Sequence, residues 1–102
     1  LSIITRISDT VWSEPEPLKI PGIKKISEGQ NMQAFLSHDG VVLLLAASPR
    51  FNSKKTDLWV SIKEGDHWLK PMHIGDKINT SYSEEAPFLS KNNEWLYFAS
   101  DR

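Results

Sequence analysis

Ala34-Phe35-Leu36-Ser37-His38-Asp39-Gly40, running straight into the apolar stretch Val41 to Ala47, decides how this chain is read, because it is written twice. Pro87-Phe88-Leu89-Ser90-Lys91-Asn92-Asn93 runs in the same way into Trp95-Leu96-Tyr97-Phe98-Ala99, and Phe35 to Phe88 and Ser37 to Ser90 both span 53 positions. Such a repeat within 102 residues marks an architecture in which one unit does not close a core by itself. Asp39-Gly40 is a strong turn signal, and Asn92-Asn93 fills its place because asparagine tolerates the left-handed conformation. The strand after each turn is apolar at consecutive positions, which predicts cover on both faces.

Outward from this phrase the pattern stays extended. Leu58, Val60 and Ile62 alternate with Trp59, Ser61 and Lys63, the period of two of a strand. Glu64-Gly65-Asp66 then turns the chain into a returning strand, His67 to Ile74. The N-terminus repeats that grammar: Ser2 to Ile7 is rich in β-branched residues, Ser8-Asp9-Thr10 is the turn, and Trp12 lies 56 positions before Trp68. The connections Lys19 to Asn31 and Gly75 to Ser83 are polar, with no 3.6-residue period sustained over three turns. Strands are expected at 2–7, 11–18, 32–37, 41–48, 57–63, 67–74, 85–90 and 95–100, without a helix, which is an all-β protein.

Four antiparallel strands followed by the start of another identical set read as β-propeller blades. The expected organisation of 1–102 is a single propeller segment. One complete blade at 32–74 is flanked by an outer half-blade at 1–18 and an inner half-blade at 85–102. The half-blade offset at both ends leads us to expect a piece of a larger propeller.

The 12 Lys and Arg residues are matched by 13 Asp and Glu, for a formal net charge of -1. That balance excludes the basic surplus needed to neutralise many phosphates, so no nucleic-acid partner is expected. With no cysteine, disulfides and thiolate metal sites are excluded, while the redox compartment stays open. The longest apolar run, Val41 to Ala47, falls far short of the ~20 residues of a membrane-spanning helix, so no membrane span is expected.

Asn79-Thr80-Ser81-Tyr82-Ser83-Glu84-Glu85-Ala86-Pro87-Phe88-Leu89-Ser90, followed by Trp95-Leu96-Tyr97-Phe98-Ala99-Ser100-Asp101-Arg102, resembles the WD40-like propeller repeat called PD40. That repeat occurs in TolB-like periplasmic propellers and upstream of OmpA-like peptidoglycan-binding domains. Trp68-Leu69-Lys70-Pro71 and Trp12-Ser13-Glu14-Pro15 look like its Trp-x-x-Pro outer strand. The likeness covers almost the whole chain and is stronger in the second copy. Lys91-Asn92-Asn93 stands where the family has Pro-Asp-Gly, and His38 replaces the proline while Asp39-Gly40 is kept. The first copy ends Ala47-Ser48-Pro49-Arg50, without the family's Ser-Asp-Arg.

The chemistry-bearing residues fit folding roles. His38, His67 and His73 form no recognised metal motif, and no metal or other cofactor is expected. Glu84 and Glu85 are adjacent on a strand, point to opposite faces, and read as capping and solvated groups rather than an acid and base pair. Ser37 and Ser90 lack a Gly-x-Ser-x-Gly elbow and belong to the repeated turn. Ser8 to Trp12 falls short of a sialidase Asp-box for want of a glycine. Trp59, Trp68 and Trp95 are expected to pack between sheets. Possible partner contacts remain at Tyr82, in a polar connection, and at Asp101 and Arg102, where an inner strand ends and propeller loops gather.

The resemblance implies a non-catalytic protein-binding or scaffold module in the bacterial cell envelope, periplasmic or associated with the outer membrane. Its partner would be a protein or another envelope component. The alternative is the propeller portion of an enzyme, of the prolyl-oligopeptidase type or similar to oligogalacturonate lyases. If the chain is complete, its two half-blades are expected to combine between subunits into a homo-oligomeric ring; excision from a longer protein is the preferred expectation.

Overall fold

The computed structural model describes all residues, 1–102. The elements in chain order are β1 (Ser2–Ile3), β2 (Glu16–Pro17), α1 (Ile23–Ile26), β3 (Gln33–Leu36), β4 (Val42–Ala47), β5 (Asp57–Glu64), β6 (His67–Trp68), β7 (Met72–His73), β8 (Glu84–Leu89) and β9 (Leu96–Ser100). Every strand pair is antiparallel. The central sheet runs β3-β4-β5, with β6 and β7 both paired to the outer edge of β5; β1-β2 and β8-β9 are separate two-stranded sheets, and no sheet closes into a barrel. The protein is all-β, with α1 a single short turn.

Both central hairpins are closed by the same bonds. In the first, Ser37 Oγ donates to Asp39 Oδ1 at 2.5 Å, and Val41 N and Val42 N donate to Asp39 Oδ1 and Ser37 Oγ. The second reproduces each one: Ser90 Oγ to Asn92 Oδ1 at 2.6 Å, Glu94 N to Asn92 Oδ1 and Trp95 N to Ser90 Oγ. Gly40 N to Ser37 O and Asn93 N to Ser90 O, both 2.9 Å, complete the match. The geometry demands a left-handed residue after the acidic or amide position, and Gly40 (φ 76) and Asn93 (φ 62) supply it.

The two faces of the central sheet are covered by different parts of the chain. Leu43, Leu45, Ala47 and Trp68 pack on one face against Ile20 and Ile26, with Leu18, Ile23 and Trp59 at the margin. Leu44, Ala46 and Leu58 are buried on the other, towards β8. The expected two-sided burial of β4 is thus present, and each buried leucine contributes about 2 kcal/mol relative to exposure. In β9 the same expectation fails. Leu96, Phe98 and Ser100 are half-buried, while Tyr97 and Ala99 are exposed, because only one face of β9 has a layer against it.

Other differences from the expected strands have local causes. The returning strand at 67–74 is broken into β6 and β7, because Pro71 has no N–H to give the ladder. Lys63 pairs Trp68 and Val60 pairs Met72, so the edge carries one extra residue, and Ser61 Oγ fills the gap by donating to Leu69 O at 2.6 Å. The N-terminal hairpin turns where expected, with Ile7 N donating to Val11 O at 2.8 Å, but regular pairing survives only at β1-β2 and an Arg6–Trp12 bridge. In the polar connection 19–31, Ile20, Ile23 and Ile26 place apolar groups on the core, and that contact pulls one helical turn out of a segment with no sustained period.

Candidate functional site

Register gathers the loops. Ala47 pairs Asp57 and Glu84 pairs Ser100, so the end of β4, the start of β5, the start of β8 and the end of β9 share one end of the molecule. Thr56 ties the two sheets together there: Glu84 N donates to Thr56 O at 2.9 Å, and Thr56 Oγ1 donates to Glu84 O at 2.7 Å.

Tyr82 and Asp101 are brought close in this corner. Asp101 Oδ1 accepts from Ser83 N at 2.7 Å, and Asp101 N donates to Ser83 O at 3.2 Å, with exposed Tyr82 adjacent in sequence. Arg102 follows, exposed, its amide donating to Ser100 Oγ at 3.4 Å. Beneath them lies the Glu84 carboxylate, fully buried, accepting from Thr80 N at 3.1 Å, Thr80 Oγ1 and Ser100 Oγ. Glu84 is therefore no solvated residue, as its sequence position led us to expect; it is the hub that fixes the loop carrying Tyr82.

A second polar group flanks the first. His73 Nε2 lies 3.1 Å from Asp57 Oδ2 and 2.9 Å from Asn79 Nδ2, and Lys55 Nζ reaches Asp57 Oδ1 at 2.5 Å. Asn79 is oriented by the backbone, its Oδ1 accepting from Leu58 N at 2.6 Å and its Nδ2 donating to Leu58 O at 2.9 Å. The carboxamide stands in for a missing strand neighbour. His73 also meets Trp59 edge-on at 5.1 Å. These contacts orient side chains and bring no nucleophile to His73. His38 and His67 are exposed, and no three His, Cys, Asp or Glu side chains are grouped to hold a metal ion.

The most exposed aromatic at this end, Phe51, escaped sequence reading. It is 85% exposed in the turn Arg50–Ser53, where Asn52 has φ 58. The turn is clamped by residues 28–30: Asn52 N donates to Glu28 O at 3.1 Å, Gln30 N to Ser53 O at 2.7 Å and Gln30 Nε2 to Asn52 Oδ1 at 2.6 Å. Gly29 passes so close that a Cβ there would sit 2.8 Å from Ser53 O. An exposed aromatic on an anchored loop loses little entropy when it meets a partner. The only advance signal was Arg50-Phe51-Asn52 itself, an aromatic set among turn residues.

Trp95 corrects the aromatic expectation. Trp68 is 7% exposed and Trp59 half-buried, as packing residues should be, yet Trp95 is 64% exposed at the opposite end of the β8-β9 hairpin.

The fold defines a small all-β protein of stacked antiparallel sheets with a loop-built polar end. Comparison with protein-family models, curated proteins and solved structures gives no match. The likeness to the PD40 repeat rests on the sequence motifs alone.

Proposed function

We propose that this chain is a non-catalytic β-propeller repeat segment that binds a protein or other envelope component through the loop end bearing Phe51, Tyr82, Asp101 and Arg102. The observation that carries the reading is the repeated hairpin, bond for bond, with each copy lying on its counterpart. Gln33 Oε1 accepts from Ala86 N at 2.6 Å across 53 positions, Phe35 stacks on Phe88, and Asn93 Nδ2 donates to Asp39 Oδ2 at 2.9 Å. Gln33 with Ala86 and Phe35 with Phe88 are equivalent residues in register, as side-by-side blades require, and Asp39 meets Asn93 one position off that register. The central sheet then supplies the complete blade, and β8-β9 the inner half of the next. Loops at strand ends, held by a rigid scaffold, are the usual place for recognition. A location in a bacterial envelope follows from the motif resemblance.

Site-specific photo-crosslinking tests this. A photoreactive phenylalanine analogue at position 51 or 82, expressed in bacteria with an export signal, is expected to trap one discrete envelope partner. The same analogue at His67, beyond the opposite turn, is expected to trap none. Equal labelling from both ends, or eliminative cleavage of oligogalacturonate by the purified chain, would overturn the proposal.

A further inference from the structure

The register that seats Phe35 on Phe88 also leaves a cleft between the two central turns. Its volume is about 330 Å³, and it is lined by Phe35, Leu36 and His38 from the first hairpin and by Phe88, Leu89 and Lys91 from the second. Each residue of the first set stands 53 positions before its counterpart in the second, so the cleft is built from one set of positions used twice. Both walls belong to hairpins that the chain carries whole, β3-β4 and β8-β9, and no residue before Leu1 or after Arg102 is needed to form them.

The cleft combines an apolar lining with cationic groups. The Phe35 and Phe88 rings meet at 4.8 Å, yet Phe88 keeps 50% and Leu36 39% of its surface exposed, so their mutual packing uses only part of the apolar area. His38 and Lys91 are exposed and join no ion pair. No carboxylate lines the cleft. Asp39, the acidic residue of the first turn, is engaged elsewhere: its Oδ1 accepts from Ser37 Oγ and Val41 N, and its Oδ2 from Asn93 Nδ2. The Asn93 bond joins the two turns, so the walls are held in place before any ligand arrives. A preformed apolar hollow with a few polar groups, of about 300 Å³ or more, is the usual form of a small-molecule site.

We propose that this cleft binds a small organic acid, an aromatic or branched-alkyl group bearing one carboxylate. The apolar body lies among Leu36, Leu89 and the two phenylalanine rings, whose tilted arrangement suits an added ring. The carboxylate pairs with the Lys91 ammonium and takes a hydrogen bond from the His38 ring. The volume holds one ring with a short chain, which favours a free acid over an extended polypeptide. Leu36 pairs Leu43 and Leu89 pairs Leu96, so the cleft sits at the turn end of the sheets, opposite the end that carries Phe51 and Tyr82. Its ligand therefore leaves the loop end free for a partner.

Titration of the isotope-labelled full chain with hydrocinnamate, followed by backbone amide chemical shifts, tests the proposal. Shifts are expected at Leu36 to Gly40 and at Leu89 to Asn93, saturating with a Kd of about 1 mM, as a ligand of about eleven non-hydrogen atoms allows. Hydrocinnamamide, the same body without the charge, is expected to bind about 10-fold more weakly. Lys91→Gln should weaken the acid about 10-fold and leave the amide unchanged. Leu89→Trp fills the cleft and should weaken both; the dispersion of the amide spectrum reports whether each variant folds, and Leu36→Trp replaces Leu89→Trp if that one does not. The absence of shifts at these turns up to about 20 mM ligand would overturn the proposal. So would equal affinities for acid and amide, or a folded Lys91→Gln chain that binds the acid like wild type. If an acetylated dipeptide with a free C-terminal phenylalanine shifts these amides and hydrocinnamate does not, the cleft belongs to a peptide terminus and the proposal falls.

Discussion

Phe35 and Phe88 occupy the same place in two copies of one phrase, and their rings meet with centroids 4.8 Å apart and planes tilted by 53°. Phe88 in turn lies 6.1 Å from Tyr97, so the pair links the two sheets through an aromatic file. The offset, tilted arrangement is the one aromatic quadrupoles favour.

Removing either ring should loosen the docking of the β8-β9 hairpin. Phe35→Ala and Phe88→Ala are each expected to cost about 2 kcal/mol, below the range for fully buried phenylalanines because both rings keep some exposure. A double-mutant cycle by urea unfolding should return a coupling of about 1 kcal/mol. Strict additivity would show that the rings touch without stabilising each other.

Glu84 is the costliest polar residue to truncate. Glu84→Ala is expected to lose about 3 kcal/mol, because Thr80 N and two hydroxyls lose their acceptor in a buried site. Glu84→Gln keeps the volume and one acceptor oxygen and should lose roughly half as much. Equal unfolding midpoints for Glu84→Ala and the wild type would remove Glu84 as the support of the Tyr82 loop.

Acid should strain the first turn and spare the second. The Ser37 hydroxyl foremost, then Val41 N–H and the Asn93 amide, hold the Asp39 carboxyl below its ordinary value. A carboxylate depressed on folding stabilises fully above its unfolded pKa, about 3.9, and loses that contribution as pH falls through the folded value. Asn92 plays the same part in the second turn and carries no charge. Unfolding midpoints measured from about pH 5 to about pH 2 should therefore fall less steeply for Asp39→Asn than for wild type. Identical slopes would show that Asp39 does not couple folding to protons.

Gly29 should resist any side chain. An added Cβ would lie 2.8 Å from Ser53 O and 3.0 Å from Ser48 Cβ, so Gly29→Ala must push the Arg50–Ser53 turn outward. The expected cost is about 1–3 kcal/mol, typical of overpacking. Faster tryptic cleavage after Arg50 would report the loosened turn, and unchanged cleavage would count against a rigidly held Phe51.

Local signals carried most of the fold. Asp39-Gly40 and Asn92-Asn93 announced their turns because the positive φ and side-chain acceptor needed there are properties of single residues. The alternation from Leu58 to Lys63 announced β5 for the same reason. What sequence did not reveal depends on distant neighbours. Whether β9 is covered on both faces is decided by a layer outside its own hairpin, and whether Glu84 is buried is decided by Thr80 and Ser100 closing over it. Tyr82 and Asp101 could be named singly, but their meeting through Ser83 is a consequence of the β8-β9 register.

The duplicated turn also has a consequence for the order of folding. Its bonds join residues no more than five positions apart, Ser37 to Val42 in one copy and Ser90 to Trp95 in the other. Loops that short close with little entropy lost, on the microsecond scale of isolated hairpins. The contacts between copies span 53 and 54 positions and gain nothing until both hairpins exist. Each phrase is thus its own nucleus, and stacking of like upon like is the late step that makes the two hairpins one cooperative body.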